Sequence, residues 1–418
     1  MSHSTSDSAM FSEDSTTEGR TKPPRRRFGG IGPAFVTAAL VFGPGSITTA
    51  SSIGATYGYK LVWVPVVATL LMLCFVDIGV RIGLSTDRGL LPTVARRLTG
   101  VVAVLVGIGS FLVTASFQAG NSVGTGAAST IIAGGDARWW AAGFTLLGVA
   151  FVWLPRFYPV MEKLMIVIIL IMLAVLIFTA VISKPDLGAA AAGLVPSMPE
   201  GSAALVAGLG ATTFSVVGAL YQIQLVREKG WTRADYRTAR KDAVFGTLIL
   251  GALSVVIMLA AAAVLQPAGI KVTSPAAMAS ILQPIGQWAS VIFAIGLWAA
   301  AFSSLLGNST IGGSMLAGVV GKDSGGLASV PVKLSISVVI LIGGIVAVAF
   351  GRVPTELIVT AQAATIVVVP LIGLAMVILA RHRDRETLRI GVLQLVFALA
   401  GLAFLLFLAI TYVMKLLG

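Results

Sequence analysis

The chain has 418 residues, 57% of them hydrophobic and 11% charged, and a mean hydropathy of +0.96. A water-soluble domain needs a polar exterior, so this composition excludes one and points to a protein of the bilayer. The net charge of +12 would raise nucleic acid as a partner in a soluble protein, but here the cations fall in alternate loops between apolar runs, which excludes that class too.

In chain order, residues 1–29 form a polar tail with Arg20, Lys22, Arg25, Arg26 and Arg27 and no apolar core of a signal peptide. Its composition predicts a disordered cytoplasmic segment. Apolar runs then predict eleven spans, at 30–56, 61–84, 99–132, 138–154, 160–183, 202–227, 242–265, 276–318, 331–350, 354–380 and 388–415. The runs are continuous rather than alternating, so they read as helices and not as a β-barrel. Arg88, Arg96 and Arg97, then Arg156 and Lys163, then Arg227 to Lys241, then Lys322, then Arg381 to Arg389 occupy alternate loops. This bias predicts a multi-pass protein of the cell membrane with a cytoplasmic N-terminus.

Two spans carry interruptions. Gly43-Pro44-Gly45-Ser46 falls near the middle of the first, where proline removes a backbone donor and glycine favours unwinding. The sixth carries Gly208-Leu209-Gly210-Ala211-Thr212-Thr213 and Gly218. Broken helices five spans apart predict two inverted five-helix repeats, 30–183 and 202–380, with the substrate between them and an eleventh helix at 388–415.

The run "GPAFVTAALVFGPGSITTASSIGATYGYKLVWV", with "PDLGAAAAGLVPSMP", "KGWTRADYRTARKDAVFG" and "AQAAT", resembles the NRAMP family of proton-coupled divalent-metal transporters over about residues 30–380. The resemblance implies an all-α membrane protein of the LeuT-type fold with helices 1 and 6 broken, and a monomer by family default; no enzyme is expected, since no span assembles a nucleophile with a base and no histidine lies in a span. It also implies metal ligands that this chain lacks. The family's Asp-Pro-Gly-Asn is here Gly43-Pro44-Gly45-Ser46, its Met-Pro-His is absent, and its acidic third helix reads Ser116-Phe117-Gln118-Ala119-Gly120-Asn121.

Asp77 is the one acidic residue well inside a span, with Glu162, Asp242 and Glu356 near span ends, and neither His3 nor His382 belongs to a metal site. No metal-ligand set and no cofactor are therefore expected. Cys74 reads as a core thiol. Gly43, Gly45, Ser46, Thr48 and Thr49 open a half-helix whose free N–H groups and dipole favour an anion. Thr212, Thr213 and Ser215, Gln362 and Thr365, and Gln118 and Asn121 are further substrate-binding candidates from helices 6, 10 and 3. The expected cargo is a small organic anion or a metal–carboxylate chelate such as citrate or iron–citrate. The alternatives are a divalent ion, magnesium or manganese, held at an atypical site with proton coupling open, and a non-transporting sensor or scaffold. Asp77 and Arg81, four residues apart on one helical face, are candidates for coupling or gating.

Overall fold

The computed structural model describes residues 38, 41–86, 89–155, 157–273, 275–281, 288–321, 326–350, 355–381 and 388–417. The polar tail 1–29, residues 30–37 and 39–40 of span one, Arg88, Lys322, both histidines and the side chains of Glu162 and Glu356 lie outside the described residues. All regular elements among the described residues are helices. In chain order they are α1 Pro44–Tyr57, α2 Trp63–Leu84, α3 Leu90–Arg97, α4 Gly100–Ala133, α5 Ala137–Val152, α6 Phe157–Ser183, α7 Leu187–Ala192 and α8 Ala203–Thr213. There follow α9 Val216–Glu228, α10 Tyr236–Val264, α11 Pro275–Ala279, α12 Ala289–Val319, α13 Val330–Phe350, α14 Thr355–Thr365, α15 Val369–Arg381 and α16 Val392–Leu417.

Nine stretches among the described residues are long and apolar enough to cross a membrane. The other two expected spans are α5, at 16 residues, and the first, of which α1 is the described half. The outward faces of the long helices carry Val167, Leu170, Ile177 and Val181 on α6 and Leu393, Val396 and Leu406 on α16. Such stripes are stable only against hydrocarbon, so the chain is a multi-pass membrane protein.

Three expectations need correction. The seventh crossing starts at Tyr236 rather than 242, because the 3₁₀ turn Arg233–Asp235, closed by a Thr232–Asp235 capping box, leads straight into α10. The eighth crossing is α12, while 275–279 forms the separate short helix α11. The tenth span is broken as well. Ile366, Val367 and Val368 donate to carbonyls three residues back, and Pro370, which has no N–H to give, sits in the first turn of α15.

Glycine sets the closest helix contacts. A β-carbon on Gly54 of α1 would lie 2.3 Å from the Met258 carbonyl of α10, and one on Gly79 of α2 would lie 2.2 Å from the Ala219 carbonyl of α9. On Gly126 of α4 it would lie 2.3 Å from the Ala137 carbonyl of α5, and on Gly343 of α13 2.5 Å from the Gln118 carbonyl of α4. Bare backbone meeting backbone is the close packing that membrane helices use in place of a hydrophobic drive.

At one end of the bundle the turn after α1 is strapped to the loop around α7. Trp63 donates its backbone N–H to Gly193 O at 3.0 Å and its indole Nε1–H to Ser197 O at 3.1 Å, and Ser197 Oγ donates to Lys60 O at 3.1 Å.

Candidate substrate site

The first break is made by backbone. Gly43 is extended (φ −120, ψ −176), precedes α1 and offers it no side-chain cap, while Pro44 fills the first helical position, where a missing N–H costs nothing. Phe42 donates to Ala38 O, the backbone is non-helical at Phe42 and Gly43, and helix α1 starts at Pro44.

The sixth helix breaks at Phe214 and Ser215, inside the expected stretch. The cause is a cap rather than a proline. Ser215 Oγ accepts from Gly218 N at 3.1 Å and so starts α9. The buried Phe214 ring anchors the kink edge-on against Phe75, centroids 5.0 Å apart.

Around the first break the structure brings together α4, α12 and α14. A β-carbon on Gly43 would lie 2.9 Å from Ser304 Oγ and 3.1 Å from Asn121 Oδ1, and one on Gly45 would fall 1.2 Å from Gln362 Nε2. Thr49 Oγ1 lies 2.8 Å from Gly45 O and 2.9 Å from Gln362 Oε1, so one hydroxyl joins the two half-helices α1 and α14. Gln118 Nε2 donates to Leu305 O at 2.9 Å, and Asn121 Nδ2 donates to Gln118 Oε1 at 2.6 Å. All of these side chains are buried.

The sequence candidates divide. Gly43, Gly45, Thr49, Gln118, Asn121 and Gln362 meet at the break, and Ser46 and Thr48 are buried in the first turns of α1. Thr212 and Thr365 instead return their hydroxyl protons to Leu209 O and Gln362 O of their own helices. Thr213, 1% exposed, has a hydroxyl at the end of α8 with no hydrogen-bond partner among the described residues. Ser304 escaped the sequence reading; its signal was the Ser303-Ser304 pair inside the apolar run of α12.

Asp77 and Arg81 stand apart from this group. Asp77, 3% exposed, takes Arg81 Nε at 2.8 Å, the Tyr236 hydroxyl at 2.8 Å, Gln394 Nε2 at 2.6 Å and Arg240 Nε at 3.4 Å. Arg81 also donates to Tyr236 Oη, and to Arg389 O at 2.9 Å. The node therefore joins α2, the start of α10 and the start of α16 at the end of the bundle that carries the basic loops. Cys74 belongs to it too, half-buried and donating to Gln394 O at 3.3 Å. Tyr236, Gln394 and Arg240 were missed; a lone amide in the first turn of an apolar helix was the available signal.

Among the described residues no three of His, Cys, Asp and Glu come together. The atoms at the break are neutral: amide and hydroxyl oxygens, amide N–H groups and backbone. Such a set can hold a cation through oxygen or an anion through N–H.

An interrupted helix lined by buried polar groups, inside a bundle of long apolar helices, defines the broken-helix class of membrane carrier folds. The chain matches the family "natural resistance-associated macrophage protein-like" (Nramp) over residues 34–415, and it belongs to that family. It is 28% identical over 310 residues to the divalent metal cation transporter MntH of Pectobacterium carotovorum, covering 69% of this chain and 72% of that one. It is 26% identical over 310 residues to the MntH of Deinococcus radiodurans, covering 70% and 69%. Among solved structures it is similar to the Eremococcus coleocola manganese transporter, at TM-score 0.72 and 15% identity over 91% of this chain and 85% of that one. It is also similar to MHP1, a nucleobase-cation-symport-1 family transporter, at TM-score 0.58 and 13% identity over 93% and 90%. These likenesses fix the LeuT-type fold expected from the sequence.

Proposed function

We propose that the protein carries a divalent metal cation, magnesium or manganese, across the cell membrane by alternating access at the break in its first helix. The observation that carries this reading is the pair of uncharged oxygens, Asn121 Oδ1 and Ser304 Oγ, that converge on Gly43, with Thr49 and the Gln362 amide beside Gly45. Without a carboxylate, thioether or imidazole the site cannot repay full dehydration of a divalent ion. It suits one that keeps several waters, which magnesium does by preference and manganese tolerates. The names of the MntH relatives and of the manganese transporter support a metal cargo over an organic anion.

The inverted repeats 30–183 and 202–380 and the cytoplasmic N-terminus belong to the same reading. So does a latch role for Asp77 and Arg81. The partners of Asp77 among the described residues lie at the basic-loop end, which supports holding helix ends together over contact with the ion.

The test is calorimetry on the purified protein with manganese, magnesium, citrate and iron–citrate titrated separately, followed by uptake into proteoliposomes. Saturable binding and uptake of a free divalent ion supports the proposal. Binding of citrate or its iron complex with free metals silent replaces it with the anion reading, and silence toward all four favours a non-transporting sensor.

A further inference from the structure

The two amides of α4 are not free to choose which end faces the break. The Leu305 carbonyl can only accept, so the end of the Gln118 amide lying 2.9 Å from it is its NH₂ group. That leaves Gln118 Oε1 facing Asn121 at 2.6 Å, and an oxygen there requires Asn121 to present its own NH₂. The orientation is thereby passed along. Asn121 Oδ1 is turned away from Gln118 and toward Gly43, where it converges with Ser304 Oγ. The backbone of α13 is seated against the Gln118 carbonyl at Gly343, so the start of this relay is held rigidly.

We propose that Gln118 is a positioning residue that fixes the Asn121 carbonyl oxygen toward the break, so that Asn121 Oδ1 and Ser304 Oγ form the cation-facing wall of the site. Gln118 itself does not touch the ion. A reversed Asn121 amide would aim N–H at the same point and repel a cation, so the relay converts a neutral side chain into a charge-sign filter. Gln118 is 0% exposed and Asn121 3% exposed, and no bulk water competes for either amide. A wall of neutral oxygens also disfavours soft ions that gain from sulfur or imidazole, so manganese and magnesium are favoured over cadmium.

This inference rests on the metal-cation reading above, and the two can fail separately. Four proteins are compared, wild type, Gln118→Leu, Gln118→Glu and Asn121→Asp, each checked for a single peak by size exclusion. Calorimetry gives manganese, magnesium and cadmium binding, and proteoliposome uptake gives KM and kcat. Gln118→Leu frees the Asn121 amide to turn, and manganese affinity is expected to fall roughly tenfold or more, as when a group orienting a metal ligand is lost. The loss should appear in KM, with kcat held. Gln118→Glu still offers Asn121 an acceptor and is expected to keep affinity within about threefold, a difference under 1 kcal/mol. Asn121→Asp puts a charged oxygen at the wall, and is expected to tighten manganese and admit cadmium.

If wild type binds no divalent ion, the metal reading falls and this inference falls with it. If wild type binds manganese but a folded Gln118→Leu binds it equally well, the relay alone is overturned. Should Gln118→Leu fail to fold, Asn121→Asp decides: unchanged affinity and ion preference there overturn the proposal, and tighter manganese binding supports it.

Discussion

The Tyr236 hydroxyl donates to Asp77 Oδ1 at 2.8 Å across 159 residues of sequence, fastening the start of α10 to the end of α2. Asp77 is almost wholly enclosed, so its stability depends on keeping every donor. Asp77→Asn leaves Arg81 without its carboxylate and is expected to cost about 3 kcal/mol. Tyr236→Phe removes one hydrogen bond to a charged group and is expected to cost about 2 kcal/mol. Thermal unfolding in detergent should place the variants in that order below wild type; equal melting temperatures for all three would show that the node bears no load.

Gly45 has no room for a side chain. The β-carbon of Gly45→Ala would lie 1.2 Å from Gln362 Nε2, so the amide must leave its seat on α1. The expected stability penalty is about 1–3 kcal/mol, and manganese binding is expected to weaken because the Gln362 amide is displaced from the break. Gly45→Ala combined with Gln362→Ala clears the clash, and melting should recover while binding does not. A double-mutant cycle on both readouts measures the coupling.

Gly54 and Gly100 make opposite predictions for one substitution. At Gly54 an alanine meets the Met258 carbonyl, backbone that cannot step aside, and about 1–3 kcal/mol of stability should be lost. At Gly100, which opens α4, nothing lies within 4 Å, and alanine should leave the melting temperature unchanged or raise it. A shared drop would mean that neither contact is as described.

Ser215→Ala removes the cap of α9 and should cost about 1 kcal/mol, whereas Ser215→Asn keeps an acceptor and should restore most of it. Because the cap shapes the second break, uptake should follow the same order as melting. Equal behaviour of the two variants would mean that packing of Phe214, rather than the cap, holds the kink.

Nine of the expected spans and the first break were legible among the described residues, because apolar length and Gly-Pro-Gly are local signals. The second break was placed but not explained, since a capping serine looks like any other serine until its N–H partner is known. The third was missed although Pro370 marked it, because one proline in an apolar run is equally compatible with a mild kink. At the site, Gln118, Asn121, Gln362 and Thr49 were found as polar residues inside spans. Ser304 needed the tertiary structure, because only the packing of α12 on α4 turns it toward Gly43. Thr212 and Thr365 look the same in sequence as Thr49, yet their hydroxyls are spent on their own helices.

The glycine contacts have a mechanical meaning. Gly54 and Gly79, with Gly251 seating the Thr69 side chain, bind α1, α10, α2 and α9 into one plate; Gly126 and Gly343, with Gly313 against the Ile336 backbone, bind α4, α5, α12 and α13 into another. Helices seated backbone on backbone cannot slide without lifting apart, so shear is cheapest between the plates. The plates touch where Gly43 faces Asn121 and Ser304, and where Pro44 lies against Gly124. The polar ring around the break therefore straddles the fault line, with α1 on one side and α4 and α12 on the other. A slip along that line would pull the ring open, so that loosening the cargo and moving the protein would be the same event.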